Sequence, residues 1–155
     1  MTFPDDKNVF KIKDLLKYFL KEITVNLSDN CINCNKKKYK IHKKINFNIL
    51  NDILILSLQR MDPYLSVKND AKVSFEDILD LIEFYDNEPN LKELKYQLFG
   101  IINHHGSITF GHYYSYIKLE NVWFEFNDSN VNKLDSIEYI SSKAYIFIYQ
   151  KIRSK

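Results

Sequence analysis

The sequence predicts an α+β fold in which a mainly antiparallel β-sheet accompanies an N-terminal amphipathic helix. Two observations predict the sheet: several short segments are filled with aromatic and β-branched residues, and the chain holds 11 tyrosines and 11 phenylalanines among its 155 residues. The helix is predicted because apolar residues near the start of the chain recur at helical spacing. A chain of this length has room for one modest core, so we expect residues 1–155 to form a single domain.

The predicted helix covers residues 9–23. Its apolar side chains lie on one face, whereas its lysines and Asp14 lie elsewhere. We interpret the apolar face as part of the core. Asn8 is the predicted N-cap, because its side chain can accept a hydrogen bond from the first helical turn. The apolar face consists of Ile12, Leu15, Leu16, Phe19, Leu20 and Ile23.

Further along the chain, local patterns predict strands and turns. Asp52–Arg60 is almost continuously apolar, which is typical of a strand covered on both faces, and we expect it at the centre of the sheet. Met61–Ala71 is a predicted loop. Ser74–Asp77 resembles a helix capping box, which favours one short helical turn. Tyr96–Asn103 and Ala144–Gln150 are predicted strands.

Composition excludes several classes of protein. The formal net charge of +2 is no strong signal for an acidic partner, and the basic segment Lys36–Lys44 is interpreted as a solvated strand rather than a nucleic-acid site. The longest apolar run, Ile53–Leu58, is too short to span a bilayer. Two closely spaced cysteines argue against a disulfide-built secreted fold. We therefore expect an intracellular protein of the cytoplasm or nucleus, with neither nucleic acid nor membrane as partner.

The two cysteines, Cys31 and Cys34, have the spacing of half a zinc site. A tetrahedral site needs two more ligands, and His42 is the nearby candidate in the sequence. We favour an incomplete finger hairpin over a complete zinc site. A third interpretation makes Cys31 or Cys34 a nucleophile, but no helix N-terminus or Gly-Asn-type turn prepares either thiol.

Asn103–Asp128 holds the candidate site, and three of the four histidines lie in it. The strands HYYSYIKL and NVWFEF are predicted to form a hairpin centred between Leu119 and Glu120, which places His112 opposite Asn127. Opposed residues have Cβ atoms roughly 4.5–5.5 Å apart. An Asn127 oxygen would then accept the Nδ1 hydrogen of His112 and leave Nε2 free to act as a base. A slip of one residue would offer Asp128 instead.

Six motifs follow one another along the chain. The first three are the NCINC finger, LILSLQRMD and KVSFEDILDL, and the last three are H-x-G-x-x-x-x-G-H-Y, W-x-x-F-N-D-S-x-V and A-Y-I-F-I-Y. These motifs resemble the ubiquitin-specific proteases, the papain-like cysteine deubiquitinases of peptidase family C19, and the last three resemble the end of the catalytic domain. The matches span residues 9–150 in family order. Nothing in the chain resembles the Gly-Asn-Thr-Cys-type box that carries the family's nucleophile, so the chain resembles the C-terminal half of a catalytic domain.

The resemblance implies a palm with part of the fingers, and roles for individual residues. His112 is the implied catalytic base, Asn127 orients it, and Asp128 supports the site or replaces Asn127. His104, Gly111 and Tyr113 are implied neighbours of the channel that admits the Gly-Gly tail of ubiquitin, His104–Phe110 resembles a mobile blocking loop, and Leu79 and Leu81 are expected to pack on the sheet. No cofactor is implied for catalysis, and zinc would only brace the finger.

Two functions follow from the resemblance. The chain is either part of a deubiquitinase, which hydrolyses isopeptide bonds at the C-terminal glycine of ubiquitin when a Cys-box segment complements it, or a catalytically inactive ubiquitin-binding or scaffold module. Because the nucleophile is missing from the sequence, we expect no activity from the isolated chain. Aromatic surface around Tyr113 and Trp123 is expected to be exposed, which favours association with a Cys-box-bearing polypeptide or self-association.

Overall fold

A computed structural model describes residues 1–4, 8–27, 33–35, 39–62, 67–85 and 93–153. The helices in these ranges are α1 (Ile12–Leu20) and a short 3₁₀ helix (Ile82–Phe84). The strands are β1 (Val9–Lys11), β2 (Ile23–Leu27), β3 (Tyr39–Lys43), β4 (Ile53–Ser57), β5 (Met61–Asp62), β6 (Val67–Lys68), β7 (Lys72–Ser74), β8 (Ile78–Asp80), β9 (Lys95–Gly106), β10 (Gly111–Leu119), β11 (Val122–Asn127), β12 (Asn130–Leu134), β13 (Ile140–Ser141) and β14 (Ala144–Lys151).

A seven-stranded antiparallel sheet forms the body of the described structure. Its strands follow the order β12-β11-β10-β9-β14-β4, and β8 pairs with β9 beside that path. The longest strand, β9, is the centre, because it pairs with β10, β14 and β8. Three smaller sheets accompany it: β1-β7-β13, the β2-β3 hairpin and the β5-β6 hairpin. The predicted α+β fold with a mainly antiparallel sheet is confirmed, as are the strands predicted at Tyr96–Asn103 and Ala144–Gln150.

The core lies on one face of the large sheet. Alternate residues of the central strands are buried there, and the inner face of α1 joins the same apolar cluster. The opposite face also carries isoleucines, but these stay partly exposed, and Ile55 is 62% exposed. The large apolar and aromatic side chains buried in β9, β14 and α1 are Tyr96, Leu98, Ile101, Phe147, Tyr149, Ile12, Leu15 and Leu16.

The position predicted for Asp52–Arg60 is wrong. Its strand, β4, lies at the edge of the sheet and pairs with β14. Leu54 and Leu56 are buried, whereas Ile53 and Ile55 are exposed, so one face is covered rather than two. A continuous apolar run does not distinguish these cases, because the uncovered face of this sheet is itself rich in isoleucine.

The predicted helix is also too long at both ends. Residues Val9–Lys11 form β1, which pairs in parallel with β7, and Ile23 begins β2. Lys11 is the N-cap and makes no side-chain capping bond, so the prediction of Asn8 as N-cap is wrong. Strand pairing has therefore overridden helical periodicity at each end. Within the described ranges, no helix has the length and apolarity needed to cross a membrane.

Three further predictions concern the chain after β4. Met61–Ala71 is not only a loop, since it contains β5 and β6. Ser74–Asp77 forms no helical turn, because the Ser74 hydroxyl donates to the carbonyl oxygen of Phe10 at 3.3 Å and the chain stays extended. The packing implied for Leu79 and Leu81 is confirmed, since both side chains are fully buried.

Arg60 connects distant parts of this fold. Its side chain is 1% exposed, and its Nε donates to the carbonyl oxygen of Ala144 at 2.7 Å. Nη1 donates to the carbonyl oxygens of Asn69 at 3.0 Å and Ala71 at 2.8 Å, and Nη2 donates to that of Ser141 at 3.3 Å. Burial lowers the pKa of Arg60 from its ordinary value, but a guanidinium remains charged at neutral pH.

Replacing Arg60 with methionine removes four hydrogen bonds to carbonyl oxygens, of which the bond to Ala144 is buried and the other three are partly buried. An unsatisfied buried polar group costs about 1–3 kcal/mol, so we expect the free energy of unfolding to fall by at least about 3 kcal/mol. Urea denaturation measures it. Arg153→Met is the matched control, because the Arg153 side chain is 77% exposed and an exposed ion pair contributes at most about 1 kcal/mol. Equal stability of the two variants would contradict the assignment.

Candidate active site

The hairpin of β10 and β11 carries the candidate catalytic residues. Glu120 and Asn121 form its turn, and both have positive φ values, of 48° and 66°, as a two-residue type I′ turn requires. The paired residues run from Leu119 opposite Val122 onward, so the hairpin is centred between Glu120 and Asn121. The predicted centre is therefore wrong by one residue, and its pairing by two. A shift of two residues keeps each side chain on its face of the sheet.

His112 and Asn127 are hydrogen-bonded despite that shift. Nε2 of His112 lies 2.6 Å from Oδ1 of Asn127, and 3.9 Å from Oδ2 of Asp128. Asn127 Oδ1 can only accept, so Nε2–H donates and Nδ1 keeps the lone pair of the neutral ring. The predicted contact is present, but the predicted nitrogen, Nδ1, is wrong. The His112 side chain is 45% exposed, so another molecule can reach it.

A cleft of about 410 Å³ opens on the same face of the sheet as His112. Tyr114 lies two residues beyond His112 on β10, opposite Asn103 of β9. Asn103 is 2% exposed, and its Nδ2 has no hydrogen-bond partner in the described part of the chain. Burial raises the pKa values of Tyr114 and Tyr116, whose rings lie 5.6 Å apart. Sequence analysis missed this cleft, since its walls come from segments far apart in the chain.

His104, Gly111 and Tyr113 form a second cluster. Tyr113 lies on the opposite face of β10 from its neighbour His112. The His104 ring is 3% exposed, with its centroid 4.5 Å from that of Tyr113 and 5.2 Å from that of Tyr145. Burial, with help from the nearby Lys68 charge, lowers the pKa of His104. The three residues predicted beside a channel are thus neighbours, and their role there stays a prediction.

The turn between β9 and β10 is shorter than the predicted loop, His104–Phe110. His104–Gly106 belongs to β9, so only Ser107–Phe110 turns the chain. The backbone N–H of Ser107 donates to the carbonyl oxygen of Phe110 at 2.7 Å. Gly106 has a φ of +117°, and a Cβ there would lie 2.5 Å from the Phe110 oxygen, so glycine is required. The Phe110 side chain is 84% exposed.

Comparison with known proteins identifies the family. The family model for ubiquitin carboxyl-terminal hydrolases matches residues 8–149. The chain belongs to the ubiquitin carboxyl-terminal hydrolase family. Ubiquitin carboxyl-terminal hydrolase 9 of Arabidopsis thaliana is 35% identical over 130 residues, which cover 81% of this chain and 14% of that protein. Ubiquitin carboxyl-terminal hydrolase 15 of Homo sapiens is 31% identical over 155 residues, which cover 96% of this chain and 16% of that protein.

Solved structures agree with this assignment. The structure of the SAGA Ubp8/Sgf11/Sus1/Sgf73 DUB module bound to ubiquitin aldehyde matches with a TM-score of 0.78 and 25% identity, over 99% of this chain and 35% of that chain. The resemblance to the ubiquitin-specific proteases is therefore confirmed. The chain spans only 14–16% of the length of these two curated hydrolases.

The zinc prediction for this hydrolase domain falls partly outside the described residues, because Cys31 is not among them. Cys34 is exposed, with a free thiol. His42 pairs with Thr24 near the base of the β2-β3 hairpin, and its Nδ1 lies 3.3 Å from the carboxylate of Glu22. Among the described residues, no three histidine, cysteine or acidic side chains are grouped to hold a metal ion. The half zinc site at Cys31 and Cys34 therefore stays a prediction.

The predicted exposure of Trp123 is wrong. Its side chain is 6% exposed, because β11 directs it into the core under Lys118, whose Nζ lies 5.6 Å from the ring centroid. Tyr113 is 53% exposed, as expected. Exposed aromatic surface in this part of the hydrolase domain therefore consists of Tyr113 and Phe110, and association through it stays a prediction.

Gly111→Ala tests how closely the His104 ring packs against the backbone of β10, one residue before His112. A Cβ at Gly111 would overlap the His104 ring and lie 2.7 Å from the carbonyl oxygen of His105, so ring rotation alone does not relieve it. We expect the free energy of unfolding to fall by about 1–3 kcal/mol. In the control Gly100→Ala, the nearest atoms are 3.4 Å away on Ile148, and we expect a change within about 1 kcal/mol. Chemical denaturation of both variants checks this, and equal effects would contradict it.

The lowered pKa of His104 makes stability depend on pH. Its ordinary value is 6.5, so below about pH 6.5 the unfolded chain binds a proton that the folded chain resists, and stability falls as the pH falls. We expect His104→Leu to flatten the change in unfolding free energy between pH 7.5 and 5.5. Equal slopes in the wild type and His104→Leu would refute the burial argument.

Proposed function

We propose that this chain supplies the histidine half of a cysteine deubiquitinase site, in which a Cys-box segment provides the thiol. The observation that carries this proposal is the hydrogen bond between His112 and Asn127 in a member of the ubiquitin carboxyl-terminal hydrolase family. Such a bond orients an imidazole for proton transfer, and simple binding does not require it.

The proposed chemistry follows from the ring nitrogens. Asn127 accepts from Nε2, so Nδ1 takes the proton of the incoming thiol. The thiolate attacks the carbonyl carbon of the C-terminal glycine of ubiquitin, and His112 returns the proton to the departing lysine amine. Water then hydrolyses the thioester with His112 as base. The carboxylate of Asp128, 3.9 Å from Nε2, stabilises the positive ring formed between these steps.

Ubiquitin is the proposed substrate partner. Ubp8, a solved relative in fold, was captured in a module bound to ubiquitin aldehyde, and Tyr113 offers this chain an exposed aromatic ring beside the buried ring of His104. We propose that these residues and Gly111 border the channel for the ubiquitin tail. The same exposed surface serves association with the Cys-box polypeptide or self-association, in the cytoplasm or nucleus. No metal or cofactor takes part in the proposed steps.

A catalytically inactive ubiquitin-binding module is the alternative function. It is favoured by the absence of a Cys-box motif in the sequence. A complementation assay distinguishes the two functions. A binding module would bind ubiquitin but would not cleave the substrate when a thiol-bearing segment is added.

The test mixes the chain with the Cys-box segment of the Arabidopsis thaliana relative and follows cleavage of a fluorogenic ubiquitin substrate. We expect no turnover from the chain alone and measurable turnover from the mixture. His112→Gln should lower that turnover by about 10³-fold or more, because the base is lost, and Asn127→Ala by about 10-fold to 100-fold, because orientation is lost.

His42→Gln is the matched control, since His42 is exposed on the separate β2-β3 hairpin. Turnover by the isolated chain, or full activity of His112→Gln in the mixture, would contradict the proposed roles. Calorimetric titration with ubiquitin reports binding independently. Binding without turnover in the mixture would support the alternative function.

A further inference from the structure

Lys68 is a nearly buried cation that the proposed chemistry does not use. Its side chain is 9% exposed, and its Nζ donates to the carbonyl oxygen of Gly106 at 2.8 Å and approaches that of His104 at 3.5 Å. The ammonium also lies 5.8 Å from the ring centroid of Tyr145. Lysine is almost never buried unless its charge is satisfied, so these contacts determine where the side chain lies.

The carbonyl that Lys68 holds is at the end of β9, where the chain turns toward the candidate base. Gly106 is paired with Gly111, and the next pair along the strands is His105 with His112. The Ser107–Phe110 turn follows directly. From β6, Lys68 thus contacts two backbone carbonyl oxygens at this end of β9.

The position of Lys68 is itself fixed. The next residue, Asn69, donates its backbone N–H to the carbonyl oxygen of Arg60 at 2.7 Å and accepts from the buried Arg60 guanidinium at 3.0 Å. The carboxylate of Asp70 lies 3.3 Å from the Lys68 Nζ but is 69% exposed, so water screens that ion pair. The backbone next to Lys68 is therefore held in place, and the Lys68 ammonium in turn restricts the position of the Gly106 carbonyl.

We propose that Lys68 is a positioning residue for His112. Its ammonium anchors the end of β9, and through the Gly106–Gly111 pair it restricts the backbone from which the His112 ring reaches Asn127. The mechanistic meaning of this role rests on the proposed function of His112 as a base, whereas the contacts themselves do not.

The experiment uses NMR of the folded chain and needs no activity. We expect Lys68→Met to speed hydrogen exchange of the Ser107 amide by about tenfold or more, since the anchor of the turn is lost. Exchange of the Leu98 amide, which bonds to the carbonyl oxygen of Asp77 at 2.7 Å, should stay within about twofold because global stability is largely kept. ¹³C relaxation of the His112 ring should show greater mobility, with the His42 ring unchanged as internal reference.

Two further variants separate positioning from general destabilisation. Lys68→Arg keeps a donating cation and should restore both the Ser107 exchange rate and the His112 ring order. Lys133→Met removes the same charge from an exposed position of β12 and should change neither. The proposal is overturned if Lys68→Met leaves Ser107 exchange unchanged, or if it speeds that exchange while the His112 ring keeps its order. Because ring mobility is read without turnover, either result is independent of whether the complementation assay succeeds.

Discussion

The buried guanidinium of Arg60 is the interaction on which the rest of the structure depends. The residue follows β4, yet it bonds to the start of β14, to the end of β13 and to the segment between β6 and β7. A planar group with five N–H donors can satisfy several carbonyl oxygens at once, which a lysine cannot do. Arg60 thus connects strand β14 of the large sheet to the β1-β7-β13 sheet and to the segment that follows β6.

The candidate site lies close to Arg60, whose guanidinium carbon is 5.9 Å from the ring centroid of Tyr145, the neighbour of His104. Strand β9 runs from the core to Gly106, the chain reverses over Ser107–Phe110, and β10 presents His112 on one face and Tyr113 on the other. Because neighbouring side chains of a strand point to opposite faces, His112 and Tyr113 lie in different environments. His112 is accessible and bonded to Asn127, whereas Tyr113 packs on the buried ring of His104. Both depend on the glycines that bracket the turn, since Gly106 provides the positive φ and Gly111 the space for the His104 ring.

Local pattern was enough to predict β9, β10, β11 and β14, because aromatic and β-branched residues fill them and the turns are short. It was not enough to place β4, since an apolar run of the same composition suits an edge strand whose open face is apolar. The predicted start of α1 was wrong because β1 pairs with β7, more than 60 residues away. Such distant pairing leaves no local signal.

In the candidate site, too, contacts within one hairpin were predicted from the sequence and contacts between distant segments were not. His112 and Asn127 were found from sequence because they share one hairpin, and an error of two residues in pairing preserved their common face. The choice of ring nitrogen was wrong because it depends on how the ring is rotated within the strand. Lys68 and the Asn103 cleft were missed, since Lys68 lies 38 residues from the Gly106 carbonyl that it contacts, and the cleft draws on several strands.

The central claim is that Asn127 holds the His112 ring with Nε2 protonated, so that Nδ1 faces an incoming thiol. Long-range ¹H–¹⁵N correlation spectra of the ring nitrogens, recorded at a pH where the ring is neutral, test it most directly. The account predicts a protonated Nε2 and an unprotonated Nδ1 for His112, and a shift toward mixed tautomers in Asn127→Ala. A His112 ring protonated at Nδ1 in the wild type would contradict it.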